Sequence, residues 1–209
     1  MIIDPKKQTF KDNYKLMIGS ILPRPIAFVS TISPGGVYNL APFSFFTGIT
    51  SDPPTICFSP TRRGTDGMPK DTLNNIKANE EFVINIVNED IAAQMNACAT
   101  EFPPETDEFE ITGLTPVPAQ IVKPPLVKEA PISFECKRLQ ILEIGKAQAG
   151  GGFLVIGEIV MFHVANELLN NGRIDTGLLK PIGRLAGAEY TKLGERFTLQ
   201  RKAHKKNEK

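Results

Sequence analysis

Histidine and cysteine are scarce in this sequence, and tryptophan is missing altogether. Of 209 residues, two are histidine (His163 and His204) and three are cysteine. Two histidines cannot build a His-based metal cluster or a His–Cys zinc site. Cys57, Cys98 and Cys136 lie far apart with no CxxC pair, so they read as reduced thiols of a cytosolic protein. No apolar run approaches the roughly 20 residues that cross a bilayer. The opening MIIDPKKQTF has charges where a secretory leader has its apolar stretch. A cytoplasmic location is therefore expected. A dominant charge sign is also lacking, with 24 Lys+Arg against 23 Asp+Glu. The last nine residues, RKAHKKNEK, hold five of the basic groups and one of the acids, which leaves the first 200 residues slightly acidic. A body of that charge is not built to neutralise a row of phosphates, and nucleic acid is not an expected partner. No GxxxxGK[ST], GxSxG or HExxH string occurs, and the GGG at 150–152 precedes a strand pattern rather than a helix.

What the chain does contain is mostly strand. The β-branched run 26–33 ends at Pro34-Gly35-Gly36, and 37–41 continues as its hairpin partner. Strands are expected at 43–50, 55–59 and 82–87, the last buried on both faces except at Asn85. A long hairpin is expected from 132–144 and 153–164, turning through 145–152, with a final strand near 196–201. Asp71 is expected to cap a helix over 72–79, and Asn88 a second one carrying Ile91, Met95, Cys98 and Ala99 as a core stripe. The proline-rich segment 101–130 reads as a loop-rich excursion over the sheet. Many short strands, Gly/Pro turns and few helices predict a mainly β, antiparallel barrel. No linker divides the body, so residues 1–201 read as one domain and 202–209 as a frayed, solvated basic tail.

Four segments combine polar groups with tight backbone. In RPIAFVST (24–31), alternation puts Ala27, Val29 and Thr31 on one face and Ile26, Phe28 and Ser30 on the other. Thr31 can offer its hydroxyl to a ligand, or serve only as a β-favouring residue. In NLAPFSFF (39–46), Pro42 removes a ladder donor, so a bend or bulge is expected there. The freed backbone can pair with a planar heterocycle, with Asn39 and Ser44 adding side-chain bonds; a turn over a packed aromatic cluster is the alternative. Residues 59–72 (SPTRRGTDGMPKDT) leave a strand and enter a helix. Helix N-terminal donors, Lys70, Thr72 and Arg62 or Arg63 form a candidate anion site there, against a plain polar loop. In GRLAGAEYTKLGERFTLQR (183–201), Arg184 and Tyr190 are candidate ligand contacts.

Taken together, the four segments resemble the flavin reductase-like family of FMN-binding split β-barrel proteins, which includes flavoredoxin-like members. RPIAFVST, NLAPFSFF, KDT (70–72), NACAT (96–100), EAPISFEC (129–136), GEIVMFHV (157–164) and GRLAGAEYTKLGERF fall in the family's order. The resemblance implies an antiparallel, Greek-key split barrel with a few short covering helices, binding FMN at a homodimer interface. It implies that Thr31 and the backbone of Asn39, Leu40, Ala41, Pro42 and Ser44 contact the isoalloxazine and ribityl chain. Ser59, Arg62, Lys70 and Thr72 would hold the phosphate, beside Asp71. Many flavoredoxin-like members carry tryptophan where this chain has Phe28. His163 matches a histidine common in the family and weighs as a structural residue before a proton donor. The implied activity is hydride or electron transfer between NADH or NADPH, or a redox partner protein, and flavin. The alternative is a flavin carrier or flavoredoxin-like shuttle with no NAD(P)H activity of its own. NLAPFSFF and KDT argue against a third use of such barrels, oxidation of a pyridoxamine-type phosphate.

Overall fold

The computed structural model describes residues 1–201. The basic tail read at 202–209, with His204, lies outside the described residues. Seven strands form one antiparallel sheet: β1 (Ala27–Ile32), β2 (Tyr38–Phe43), β3 (Phe46–Ser51), β4 (Pro54–Phe58), β5 (Glu81–Ile86), β6 (Ile132–Ile144) and β7 (Gly152–Val164). Their spatial order is β2-β1-β5-β6-β7-β4-β3. The two outermost strands, β2 and β3, are separated in sequence only by Ser44 and Phe45. A sheet whose opposite edges are joined so tightly has to roll up on itself. Ser59 N–H donates to Phe45 O at 2.8 Å across that join. The result is a split barrel.

Strand alternation sorts the core as β1 predicts. Ala27 and Val29 face inward with Phe43, Phe58, Leu73, Phe82, Ile84 and Val155. Ile26 and Phe28 face outward into a second cluster with Leu40, Ile91, Met95, Phe109 and Val127. The 101–130 excursion covers that outer face, and Ser30 Oγ donates to Pro125 O to pin it. Gly157 on β7 is required by close packing. A Cβ there would stand 2.4 Å from the Phe82 ring.

Several expectations need correction. The strand containing Pro42 does not break at the proline; β2 runs through it, with Pro42 opposite Phe28. Leu40 and Pro42 turn their nitrogens to the free edge of the sheet, so proline costs no ladder bond, and the chain breaks at Ser44–Phe45 instead. Asp71 does not cap its helix. In α2 (Asp71–Asn79) the cap position is Lys70, without a side-chain cap bond. Asp71 is the first helical residue, and its carboxylate pairs with Arg63 at 2.5 Å. Asn88 does not cap its helix either: in α3 (Ala92–Ala97) the cap position is Ile91, without a side-chain cap bond, and Asn88 Oδ1 accepts from Ile91 N–H at 3.4 Å in the turn before it, while Ala99 of the expected stripe is exposed. The strand expected near 196–201 is absent. Phe197 and Leu199 alternate as in a strand, but they are 81% and 83% exposed, and no free edge receives them. A short hairpin of β8 (Ile182–Arg184) and β9 (Tyr190–Lys192) forms upstream.

The longest helix escaped the sequence analysis. In α1 (Phe10–Ser20), Thr9 Oγ1 accepts from Asp12 N–H and donates to the Asp12 carboxylate. That reciprocal pair is a capping-box signal visible in the sequence TFKD. Arg24 fastens α1 to the barrel. Its guanidinium is 3% exposed and donates to the carbonyls of Ile18, Ile21 and Leu185 and to Ser44 Oγ.

Candidate functional site

A cleft opens where the edge of β2 meets the N-terminus of α2. Its walls include Asn39, Ala41, Pro42, Phe43, Arg63, Lys70, Asp71 and Thr72. The segment 98–102, which follows α3, and Glu108 of α4 (Glu108–Thr112) close the opposite side. Two of the four segments singled out by sequence, NLAPFSFF and the loop into KDT, therefore meet at one place.

The floor is a chain of side-chain hydrogen bonds. Asn39 Oδ1 accepts from Thr72 Oγ1 at 2.7 Å and from Thr31 Oγ1 at 3.3 Å. Thr31 in turn accepts from Asn75 Nδ2 at 3.0 Å. Asn39 Nδ2 donates to Glu108 Oε1 at 2.9 Å, and Leu40 N–H donates to Glu108 Oε2 at 2.9 Å. Glu108 is 5% exposed. Burial pushes its carboxyl above the usual range, and the Leu40 and Asn39 donors only partly offset that.

Cations and free amides gather at the mouth of the cleft. Lys70 Nζ lies 3.9 Å from Glu101 Oε1, and Arg63 is held by Asp71. The first backbone bonds of the α2 turn run from Leu73 and Asn74 to Lys70 O. The N–H groups of Asp71 and Thr72 have no partner among the described residues. Unpaired amides at a helix start, one lysine and one arginine form a donor set suited to a phosphate-sized anion.

Other expected site residues lie elsewhere. Thr31 is fully buried behind Asn39. Leu40 sends its side chain into the outer core and reaches the site only through its amide. Ser44 accepts from Arg24, and Ser59 Oγ donates to Phe153 O at 2.7 Å. The two adjacent arginines part ways. Arg62 bonds Gly67 O and Glu143 and lies 4.9 Å from the Phe153 ring centroid, whereas Arg63 lines the cleft. Arg184 stacks on Tyr190 at 4.4 Å, and the Tyr190 hydroxyl donates to Asn96 Oδ1, so within one chain the fourth segment stays apart from the cleft.

His163 is also away from the cleft. Its Nε2 lies 2.6 Å from Glu135 Oε1. Glu135, fully buried, also accepts from the N–H groups of Gln120, Ile121 and Val122. Sequence reasoning missed Glu101 and Glu108. The two acids sit in a segment with no periodicity to place them, although an acid beginning the short helix EFEIT was a visible signal. Among the described residues no three His, Cys, Asp or Glu gather in a metal-holding group, and no helix is long and apolar enough to cross a membrane.

The flavin reductase like domain matches residues 18–179. The crystal structure of nitrilotriacetate monooxygenase component B from Bacillus cereus is 44% identical, covering 95% of this chain and 98% of that one, with a TM-score of 0.91. The 2-nitrobenzoate 2-nitroreductase of Pseudomonas fluorescens is 34% identical over 96% and 95% of the two chains, with a TM-score of 0.85. A flavin reductase with a split barrel domain from Shewanella frigidimarina, 23% identical with a TM-score of 0.81, shares the fold. The chain belongs to the flavin reductase-like family, and its function is flavin-linked redox chemistry.

Proposed function

We propose that this protein binds FMN in the cleft between β2 and α2 and acts as a flavin oxidoreductase that draws electrons from NADH or NADPH. The observation that carries this reading is the donor set at the start of α2: Lys70, Arg63 and the unpartnered amides of Asp71 and Thr72 on one cleft. These groups fit the FMN phosphate. The β2 edge from Asn39 to Pro42 would run along the ribityl chain and heterocycle, with Pro42 and Phe43 as apolar wall. When bound, FMN supplies the hydride and electron chemistry that no side chain of the cleft provides. The chain's own task is to orient, to keep water out and to place positive charge and N–H donors where electron-rich oxygens lie. In the free protein Asp71 and Glu101 sit on the two cations, so an entering phosphate displaces carboxylates rather than bulk water alone.

We also assign the protein to a homodimer. Tyr14 and Met17 on α1, Ile49 on β3 and Leu139, Leu142 and Ile144 on the protruding half of β6 are exposed, a set of large apolar side chains that association would bury. Ser59 and Arg62, which the family resemblance brings toward the flavin phosphate, and Arg184, Tyr190 and His163, singled out in their own strings, already have partners within the chain.

The test is titration of FMN and riboflavin into the wild type and Lys70→Ala. Charge-assisted hydrogen bonds contribute roughly 1.5–3 kcal/mol each. Two of them favour FMN over riboflavin by about 10²–10⁴-fold. Lys70→Ala should weaken FMN sharply and leave riboflavin almost unchanged; equal losses would move the phosphate elsewhere. Anaerobic NADH or NADPH should bleach the FMN-loaded protein. A yellow protein that neither nucleotide bleaches is a carrier or a shuttle for a redox partner protein.

A further inference from the structure

Glu108 makes two bonds whose direction leaves no freedom. Leu40 N–H is a backbone donor and cannot turn round, so Glu108 Oε2 accepts from it. The geometry has Glu108 Oε1 accepting as well, from the Asn39 amide nitrogen at 2.9 Å, and above the pH at which the carboxyl ionises it can do nothing else. The Asn39 oxygen is thereby turned to Thr31 and Thr72, where two hydroxyls fill both of its lone pairs. Asn39 then has a single unused valence, the second hydrogen on Nδ2, which finds no partner among the described residues. Asn39 lines the cleft and is only half-buried.

From this we infer that Glu108 is a positioning residue that makes Asn39 a hydrogen-bond donor to the bound flavin, at an acceptor atom common to FMN and riboflavin. The inference rests on the assignment of the cleft to flavin. Were Asn39 turned over, the same site would present a carbonyl oxygen, and an acceptor on the ligand would meet a second acceptor. The carboxylate at 108 opposes that rotation, since both positions of the amide are nearly the same in size and shape.

Glu108→Gln tests this without changing volume. The glutamine oxygen must accept from Leu40 N–H, so its amide faces Asn39 and forces Asn39 to flip. Binding of both flavins should weaken by about tenfold, from loss of one good hydrogen bond. Riboflavin is the cleaner probe, since it is neutral and does not respond to removal of a carboxylate charge. The double variant Asn39→Asp/Glu108→Gln separates positioning from folding. There the glutamine amide donates to the new aspartate, whose other oxygen accepts from Thr31 and Thr72, so every floor bond is satisfied again. Thermal stability should return to within a few degrees of wild type, yet flavin binding should remain weak, because an aspartate has no hydrogen to donate. Recovery of flavin affinity together with stability would overturn the inference and leave Glu108 as a structural brace. Wild-type affinity in Glu108→Gln would overturn it too. Failure of the wild type to bind either flavin would bring down the cleft assignment and this inference with it.

Discussion

Two buried carboxylates anchor opposite ends of the same excursion, and they behave in opposite ways. Glu108 ties its beginning to the edge of β2, and Glu135 ties residues 120–122 to β6. Burial raises both. Glu135 has three backbone N–H donors and His163 around it, which outweigh burial and hold it below the usual carboxylate range. Glu108 has Leu40 N–H and Asn39 Nδ2, too few to offset burial, and it stays above that range. Burial is outweighed at Glu135, which has four donors, and prevails at Glu108. A fully saturated carboxylate is a clamp.

The sharpest break in that comparison is truncation. Glu135→Ala would leave the amides of Gln120, Ile121 and Val122 without their acceptor, the last of them buried, so unfolding in urea should show a loss of about 2 kcal/mol or more. Glu108→Ala strands one backbone amide and one side-chain amide beside an open cleft that water can enter, and should lose less. A smaller effect distinguishes the neighbouring arginines. Arg63→Ala should weaken FMN binding by about tenfold or more through loss of a charge-assisted contact at the cleft, while Arg62→Ala stays within about twofold. Isothermal titration reads both, and equal losses would undo the distinction.

The two acids should also separate by pH. A carboxyl lowered by folding contributes stability above its unfolded value and loses it as pH falls through the folded value; a raised one contributes below its unfolded value and loses it as pH rises through the folded value. Wild-type stability should therefore fall off on the acid side through Glu135 and decline toward neutrality through Glu108. Urea midpoints across about pH 3 to 7.5 test this: Glu135→Gln should flatten the acid limb, and Glu108→Gln the upper one. The smallest expected effect is at His163. His163→Gln leaves Glu135 its three backbone donors, so a cost of about 1 kcal/mol is expected, with FMN binding unchanged. A large fall in flavin affinity would give His163 a role at the site that its distance from the cleft does not suggest.

Strand placement was legible because alternation is a local property. Ala27 and Val29 point inward and Ile26 and Phe28 outward as RPIAFVST predicts, and the long hairpin falls at Ile132–Ile144 and Gly152–Val164 against an expected 132–144 and 153–164. Pro42 misled because proline is costly only when its nitrogen faces a partner strand, and which edge a strand occupies is set by the whole sheet. The candidate site was half legible. Asn39, Lys70 and Thr72 lie in strings whose local chemistry is unusual. Arg62 and Arg63 are adjacent and identical in type, and only Glu143 on one side and Asp71 on the other tell them apart. Phe197 and Leu199 show the converse, an alternating pattern with no edge to complete it.

Arg24 carries a consequence for how the protein is made. Its guanidinium is satisfied partly by Leu185 O, 161 residues further along the chain. During synthesis at roughly 5–20 residues per second, that acceptor emerges many seconds after Arg24 has left the ribosome. Until then one of its donors lacks the acceptor it has in the folded chain, while all seven strands of the barrel, ending at Val164, are already available to pair. A truncation just short of residue 185 is therefore expected to spare the seven strands and to loosen the docking of the N-terminal helix.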